Sequence, residues 1–351
     1  MEPSTQPQDI LRKRKMSEIN TWTMQRHEAA LDPGLPIIDP HHHLWDAEVG
    51  RYLLDDLLED ISTGHNIIAT VFVEAASMYR ADGPLPTKPV GEVEFVNGVA
   101  AMSASGRYGK HRLCAGIVGH ADLTLGDQVR PVLEALIAAG NGRLRGIRYG
   151  MPWDSGNART NNKRPSPPRY LALDPALRRG FACLQPLGLS FDAWLFYPQL
   201  PELADLLRAF PDTNVILNHI GGLLGIPPHE RRDEVFALWR KNIRELAQFP
   251  NLSVKVGGLA MLHCGWGYHL RELPPSSEEM AADWRPYVEA CIEAFGPDRC
   301  MMESNFPAEK QSCGYGVFWN AMKRITQGCS AAEKAALYRD TAARVYRLAV
   351  G

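Results

Sequence analysis

Residues 35–46 read LPIIDPHHHLWD, a short and largely apolar run over 35–39 that leads into His41, His42 and His43. Such a run, bounded by polar residues, is typical of a strand that is buried on both faces of a sheet. Side chains alternate along a strand, so His41 and His43 are predicted to share one face, with His42 on the other. Two imidazoles on one face can bind a metal ion or an anionic substrate, although a hydrogen-bonded structural pair has the same pattern.

Seven further apolar runs recur along the chain, and amphipathic helical patterns lie between most of them. Strands that alternate with helices predict βαβ units and a parallel sheet, and eight such strands predict a single closed (β/α)8 TIM barrel in the α/β class. An open doubly wound sheet is the alternative, and the lack of a GxGxxG motif after the first run counts against it. The further runs cover residues 67–73, 113–118, 146–149, 187–195, 215–217, 252–256 and 300–302, and the helical patterns cover 128–139, 200–210, 235–249 and 287–295.

The chain is predicted to comprise a polar N-terminal extension, residues 1–31, and a barrel domain, residues 32–351. The basic run RKRK at 12–15 is interpreted as a solvated helix face or a loose tail rather than a targeting signal. Three long loops follow strands, so a barrel places them on its catalytic face, where we expect them to shape a substrate pocket. These extended loops cover residues 77–87, 151–170 and 262–277.

Composition excludes several classes of protein. The 351 residues are 45% hydrophobic and 22% charged, which excludes a wholly disordered chain, and 38 basic against 40 acidic residues leave a formal charge of only −2. We therefore expect a small-molecule partner, with no nucleic-acid or membrane partner, and leave a homo-oligomer open. The seven cysteines form no CxxC pair, which is typical of a reducing compartment and predicts a cytoplasmic protein.

Two other strand ends carry polar side chains. His219 follows the run at 215–217 and precedes two glycines, which allow the backbone to turn sharply beside a ligand. The run at 300–302 ends in Glu303, Ser304 and Asn305. Polar residues at the carboxyl ends of barrel strands indicate a catalytic role, whereas a structural histidine and a simple turn would leave the same pattern.

Charged and aromatic residues near the remaining strand ends complete the candidate pocket. Arg148 could bind a carboxylate or a lactone carbonyl through its guanidinium group, or it could form a structural ion pair. Glu74 and Asp192 could each act as a base if they face inward, whereas a helix cap or a pairing with arginine is the alternative for Glu74. Together with Asp192, the candidate substrate-binding residues are Tyr79, Arg80, His120, Trp153, Trp194, His263 and Lys310.

Several segments carry a resemblance to a known family. They are IIDPHHHLWD, VFVEAAS, GIRYG, FDAWLFYPQLPELADLLRAFPDTNVILNHIGG, NLSVKVGGL and RCMMESNFP, which together span residues 37–307 in order. The chain resembles the amidohydrolase superfamily, specifically the group of metal-dependent-hydrolase-like TIM barrels that includes sugar-acid lactonases and the pyrone-dicarboxylate lactonase. The resemblance implies a barrel with His41 and His43 on the first strand and His219 on the sixth, as ligands of a divalent metal ion such as zinc or manganese.

The chain departs from the family pattern at two points. The superfamily usually has an aspartate at the end of the eighth strand, in a motif like Gly-Ser-Asp-Trp-Pro, and Asn305 stands in its place. An amide cannot act as a general base near neutral pH and is a poorer metal ligand than a carboxylate. The fifth strand also lacks the histidine of members that bind metal tightly, a gap that the lactonase group shares.

The sequence favours a hydrolase that opens a lactone of a sugar acid or of a dicarboxylate from aromatic degradation. His41, His43, His219, Asn305, Arg148 and Glu74 are its candidate catalytic residues. A non-oxidative decarboxylase of the same superfamily is one alternative, and a barrel that binds an acid without catalysis is another. Asn305 counts against the decarboxylase and favours the non-catalytic barrel.

Overall fold

The computed structural model describes residues 11–155 and 166–349, so residues 156–165 of the predicted loop at 151–170 and residues 1–10 of the extension lie outside it. The strands of the main sheet are β1 (Pro36–His42), β2 (Asn66–Val73), β3 (Arg112–Gly119), β4 (Leu144–Gly150), β5 (Ser190–Trp194), β6 (Val215–Leu217), β7 (Leu252–Val256) and β8 (Cys300–Met302). The main α-helices are α1 (Met16–Thr23), α2 (Leu54–Ile61), α3 (Val90–Ala104), α4 (Arg130–Gly140), α5 (Pro175–Ala182), α6 (Leu200–Ala209), α7 (Arg232–Leu246), α8 (Ser277–Phe295), α9 (Tyr315–Ile325), α10 (Ala331–Ala335) and α11 (Thr341–Val345). Within the described ranges, no helix combines the length and the apolar character that crossing a membrane requires.

The eight strands pair in chain order, each parallel to the next, so the predicted (β/α)8 barrel is confirmed and the open-sheet alternative is wrong. β1 and the segment after β8 close the ring. His43 N donates to Phe306 O at 2.7 Å, and Asn305 N donates to His41 O at 2.9 Å. These bonds bring the histidines of β1 beside the polar residues that follow β8.

The Asp39 side chain reinforces this closure. Its Oδ1 accepts from Ser304 N at 3.0 Å, and its Oδ2 accepts from Ser304 Oγ at 2.5 Å and from Tyr315 Oη at 3.0 Å. All three residues are buried. Buried hydrogen bonds to a carboxyl group are costly to leave unmade, so Asp39 fixes the position of Ser304 relative to β1.

The inside of the barrel is a packed core rather than a pore. Ile38, Val71 and Ile216 belong to an apolar cluster that also includes Val345 and Tyr346 from the C-terminal segment. Tyr346 reaches upward and donates its hydroxyl to Asp192 Oδ1 at 2.8 Å. The C-terminal segment therefore fills the barrel from below, and the polar chemistry is confined to the carboxyl ends of the strands.

The N-terminal segment packs on the barrel. Met16, Ile19 and Trp22 of α1 are buried, and Met16 N donates to Val49 O at 2.7 Å in the turn of a short hairpin after β1, Trp45–Ala47 with Gly50–Tyr52. Trp22 Nε1 donates to Glu272 O at 3.0 Å in the loop after β7. Residues 11–24 thus lie across loops that follow β1 and β7, on the catalytic side of the barrel.

We predict that Ser304→Ala lowers the free energy of unfolding by about 1.5–3 kcal/mol, because it removes a donor to a buried carboxyl group. The measurement is the shift in the urea midpoint. Ser105→Ala removes an exposed hydrogen bond to Met102 O and serves as the matched control, with an expected loss below about 0.5 kcal/mol. Equal stability of the two variants would contradict a role for Ser304 in closing the barrel.

Candidate active site

Three buried groups meet at the carboxyl ends of β1, β6 and β8. His219 Nδ1 lies 2.7 Å from Glu303 Oε1, and His41 Nδ1 lies 2.8 Å from Glu303 Oε2. The imidazole rings of His41 and His219 are 4.5 Å apart between centroids. Glu303 is therefore at the centre of the cluster, although only the two histidines were named as site residues from the sequence. The missed signal was a carboxylate directly after the last apolar run.

Glycines allow the strand ends to come this close. A Cβ at Gly258, which has φ +71°, would lie 2.2 Å from His219 Cβ, and one at Gly257 would lie 2.4 Å from Glu303 O. His219 itself has φ +55° and begins a turn that continues through Gly221. Gly257 and Gly258 therefore allow His219 to fit against Glu303, whereas a Cβ at Gly221 would meet the Leu200 side chain and one at Gly222 would meet Leu195 O.

The direction of the Glu303–His219 hydrogen bond fixes the histidine tautomer. Glu303 Oε1 already accepts from His219 N at 3.0 Å, so it also accepts from the ring nitrogen Nδ1. The hydrogen is then on Nδ1, which leaves Nε2 with a free lone pair. Among the described residues, Nε2 has no hydrogen-bond partner.

Burial decides the charge states of the cluster. It lowers the pKa values of His41, His43 and His219 well below the ordinary range, and the nearby cation of Arg148 lowers them further. All three imidazoles are therefore neutral near pH 7. Burial also raises the pKa of Glu303 to about 8, against the opposing effect of Lys255, so its ionised form predominates only above about pH 8.

Two cations flank His41, and each is matched by a buried carboxylate. Arg148 Nη1 lies 3.3 Å from His41 Nε2, and Lys255 Nζ lies 3.3 Å from His41 Nδ1. Arg148 Nε donates to Glu74 Oε1 at 2.9 Å, and Lys255 Nζ donates to Asp192 Oδ1 at 2.7 Å. Glu74 and Asp192 therefore neutralise the cations of the site. Lys255 was not predicted as a site residue, although a charged residue inside an apolar strand is a signal of one.

His43 lies beside the cluster, with its ring 4.9 Å from that of His41, and is held by two other groups. Its Nδ1 donates to Val73 O at 2.7 Å, so its Nε2 is an acceptor, and Nε2 lies 3.2 Å from the Asn305 amide. The same amide lies 3.5 Å from Glu309, whose pKa burial raises well above the ordinary value. The structure places the amide oxygen Oδ1 at His43 and the nitrogen Nδ2 at Glu309; with these two atoms exchanged, a protonated Glu309 donates to the amide oxygen and the amide nitrogen donates to His43. Asn305 thus links two neutral groups.

Aromatic rings border the cluster of His41, His219 and Glu303. Trp194 packs edge-on against His219, with ring centroids 4.7 Å apart, and also lies beside His263. On the opposite side His120 stacks on Tyr149 at 5.5 Å, and its Nδ1 donates to Arg148 O at 3.1 Å. Trp194, His263 and His120 thus lie beside the cluster, and their role in binding substrate stays a prediction.

Other candidate pocket residues lie farther from this cluster. Arg80 is exposed and forms an ion pair with Glu94. Tyr79 is partly buried in the loop after β2, and Trp153 is partly buried after β4 with its backbone N–H bonded to Gln199. The ammonium group of Lys310 contacts both carboxylate oxygens of Asp60, at 2.8 and 3.0 Å, so α2 holds it in place.

The residues at the centre fit a divalent metal ion. His41, His219 and Glu303 each offer a ligand atom, and these atoms all lie within 4.8 Å of one another. Glu303 Oε2 is buried and lies 2.8 Å from His41 Nδ1, but no hydrogen bond joins the two atoms, so both lone pairs are available to a metal ion. Two imidazoles and a carboxylate are a common ligand set of catalytic zinc. Of the predicted metal ligands, His43 is instead engaged by Val73 and Asn305.

Comparison with known proteins assigns the chain to a family. The family model described as amidohydrolase matches residues 38–348. The chain belongs to the amidohydrolase family. It is 36% identical over 336 residues to the uncharacterized protein y4mH of Sinorhizobium fredii (strain NBRC 101917 / NGR234), an alignment that covers 90% of this amidohydrolase and 99% of y4mH.

Two other similar proteins have either a stated activity or a bound metal ion. An L-fucono-1,5-lactonase of Burkholderia multivorans (strain ATCC 17616 / 249) is 30% identical over 240 residues, covering 67% of this chain and 72% of the lactonase. A crystal structure of an amidohydrolase from Burkholderia multivorans with bound zinc is 26% identical, with a TM-score of 0.68, and the match covers 89% of this chain and 99% of that one. The family, the resemblance to lactonases and the barrel expected from the sequence are thereby confirmed.

Glu303→Gln is expected to weaken zinc binding by roughly 10–100-fold, because a neutral amide replaces the only carboxylate of the predicted ligand set. Isothermal titration of metal-depleted protein with zinc chloride measures the affinity. Glu309→Gln is the matched control, since Glu309 is equally buried but lies outside the set, and its zinc affinity should be unchanged. Wild-type affinity in Glu303→Gln would exclude Glu303 as a ligand.

Lys310→Met is expected to cost about 3–5 kcal/mol of stability, because it leaves Asp60 buried without its cation. Urea denaturation measures the loss, and the double variant Lys310→Met/Asp60→Asn should recover most of it. If the single variant keeps full stability, the Lys310–Asp60 ion pair does not contribute to the stability of the fold.

Proposed function

We propose that this amidohydrolase opens the ring of a lactone by adding water to its carbonyl carbon. The observation that carries the proposal is the Glu303–His219 pair, which leaves the neutral Nε2 of His219 as a proton acceptor at the centre of the site. A carboxylate that orients an imidazole and stabilises its protonated form is an established arrangement for general-base catalysis. The lactonase relative from Burkholderia multivorans supports the choice of substrate class.

In this proposal His219 takes a proton from the attacking water at Nε2. Glu303 accepts the hydrogen bond from Nδ1 and compensates the positive charge that develops on the ring. The second carboxylate oxygen faces His41, so the cluster can share the proton until the ring oxygen leaves. The ester C–O bond breaks as the leaving alkoxide takes a proton back from His219, and the product is an open hydroxy acid.

Arg148 and Lys255 supply the positive charge that the transition state requires. Both cations lie within 3.3 Å of a His41 ring nitrogen, in a region from which water is largely excluded. Charges held in place before the reaction stabilise a developing oxyanion most strongly in such surroundings. Because Glu74 and Asp192 fix the two cations, no reorganisation is needed when the negative charge forms.

We also propose that, in a metal-bound form, His41, His219 and Glu303 hold one divalent metal ion, and His219 is then a ligand rather than the proton acceptor. The two nitrogen ligands favour zinc over manganese. A bound zinc ion would supply Lewis acidity and a lowered pKa of water at this position. Asn305 hydrogen-bonds His43 and takes no proton, so the role that the family's aspartate has at this position passes to His219 and Glu303.

We further propose a cytoplasmic location. All seven cysteines lie within the described residues, and all are free thiols. Five of these thiols are buried, which is consistent with a reducing compartment rather than with a disulfide framework.

The test is proton release in weak buffer from a panel of sugar-acid and dicarboxylate lactones. His219→Asn should lower turnover by roughly 10²–10⁴-fold, because the amide cannot accept the proton. The exposed His27→Asn is the matched control and should retain wild-type turnover. A chelator-treated aliquot, with and without added zinc, measures metal dependence in the same experiment.

Each alternative to the lactonase predicts a different experimental result. Release of carbon dioxide from an aromatic or dicarboxylic acid, without lactone turnover, would establish a decarboxylase. Binding of a sugar acid with no turnover of any compound would establish a non-catalytic barrel. Lactone turnover that His219→Asn retains in full would remove the proposed base.

A further inference from the structure

The C-terminal segment carries a tyrosine into the inside of the barrel. Tyr346 directly follows α11 and is fully buried in the apolar cluster of the interior, to which Ile38 of β1 and Met301 of β8 also belong. Its backbone N–H donates to Ala342 O at 3.0 Å, which continues the last helical turn. The ring is therefore held in one place below the catalytic centre.

Arg347, the next residue, fixes the segment to the lower end of the barrel. Its Nη2 donates to Arg145 O at 3.1 Å and to Gly188 O at 3.0 Å. Arg145 is at the start of β4 and Gly188 lies just before β5, so both acceptors are at the strand ends opposite the active site. Contacts outside the active site thus set the height of Tyr346 inside the barrel.

Tyr346 contacts both members of one buried ion pair. Its Oη donates to Asp192 Oδ1 at 2.8 Å. Lys255 Nζ donates to the same oxygen at 2.7 Å and lies 5.1 Å from the centroid of the tyrosine ring. Asn218 Nδ2 is the third donor to Oδ1, at 2.9 Å, whereas Oδ2 is buried and makes no hydrogen bond within the described residues. The orientation of this carboxylate therefore depends on three donors to one oxygen, and Tyr346 is one of them.

Lys255 is shared between Asp192 and the catalytic centre. Its ammonium group lies 2.7 Å from Asp192 Oδ1 and 3.3 Å from His41 Nδ1. A hydrogen bond to a carboxylate takes up part of its negative charge, so the Tyr346 hydroxyl weakens the attraction of Asp192 for the ammonium group. Without that donor, the less compensated carboxylate draws Lys255 towards itself and away from His41.

The Tyr346 hydroxyl keeps its hydrogen near neutral pH. Burial raises its pKa well above the ordinary value, and the negative charge of Asp192 raises the pKa further. The hydroxyl is therefore a permanent donor, which supports the direction of its bond to Asp192.

We propose that Tyr346 is a positioning residue of the active site, which acts on Lys255 through Asp192 from inside the barrel. The inference rests on the proposed function, in which Lys255 stabilises the oxyanion that forms at the lactone carbonyl. By holding Asp192 from below, the hydroxyl fixes the distance between the ammonium group and His41 before a substrate binds. Tyr346 does not touch the substrate, so it affects the rate of the chemical step rather than the binding of substrate.

The first measurement is the steady-state kinetics of lactone hydrolysis by Tyr346→Phe, which removes the hydroxyl and keeps the ring. We expect kcat to fall about 5–30-fold with KM unchanged, a smaller loss than removal of a direct oxyanion donor causes. Tyr338→Phe is the matched control, because Tyr338 is equally buried in the C-terminal segment and its hydroxyl lies 2.8 Å from Thr326 Oγ1, outside the site. Both variants should lower the urea midpoint by similar amounts, whereas Tyr338→Phe should keep the wild-type kcat.

A second measurement needs no turnover and separates this proposal from the proposed function. The NMR resonances of the His41 ring nitrogens report the neighbouring ammonium group. Tyr346→Phe should shift these resonances and leave those of His229 unchanged, and Tyr338→Phe should shift neither. If no lactone is hydrolysed but His41 responds to Tyr346→Phe alone, the lactonase proposal fails and the positioning role stands. Unchanged His41 resonances, an unchanged kcat in Tyr346→Phe, or an equal fall in kcat in both variants would overturn the assignment.

Discussion

The carboxylate of Glu303, buried between the imidazoles of His41 and His219, is the constraint on which the active site depends. Burial raises the pKa of this carboxyl group to about 8, so its ionised form depends on compensation by two imidazoles, a backbone N–H and the nearby ammonium of Lys255. Lys255 then requires Asp192, which in turn accepts from Tyr346 below it. This series of paired groups extends from the catalytic end of the barrel to the residues that fill its interior.

This dependence explains why the strand ends are so closely packed. Gly257 and Gly258 bring β7 against both Glu303 and His219, and a side chain at either position would separate the pair. Asp39 fixes Ser304, the next residue after Glu303, from the opposite side. The barrel therefore supports the site through backbone fit as well as through ion pairs, and its rigidity is what keeps the charges organised before a substrate arrives.

The fold followed from local patterns because each barrel strand is buried on both faces and appears as an apolar run. The runs that ended in His43, His219 and Asn305 indicated the catalytic end for the same reason. The ion pairs of the site could not be predicted from local sequence patterns. Lys255 and Asp192 lie 63 residues apart, and Arg148 and Glu74 lie 74 apart, so no local pattern shows that these charges neutralise each other. β1 also shifts register between Asp39 and His42, a departure from strict alternation that sequence spacing does not reveal.

Asn305 shows how the proton-accepting chemistry of the site is confined to one pair of groups. An amide at position 305 can bond His43 and Glu309 at once without adding charge to a centre that already holds Glu303. A second carboxylate there would face Glu303 across His41 and His43, and like charges at that spacing disfavour each other's ionised forms. The proton acceptor is thus confined to the Glu303–His219 pair on the barrel strands.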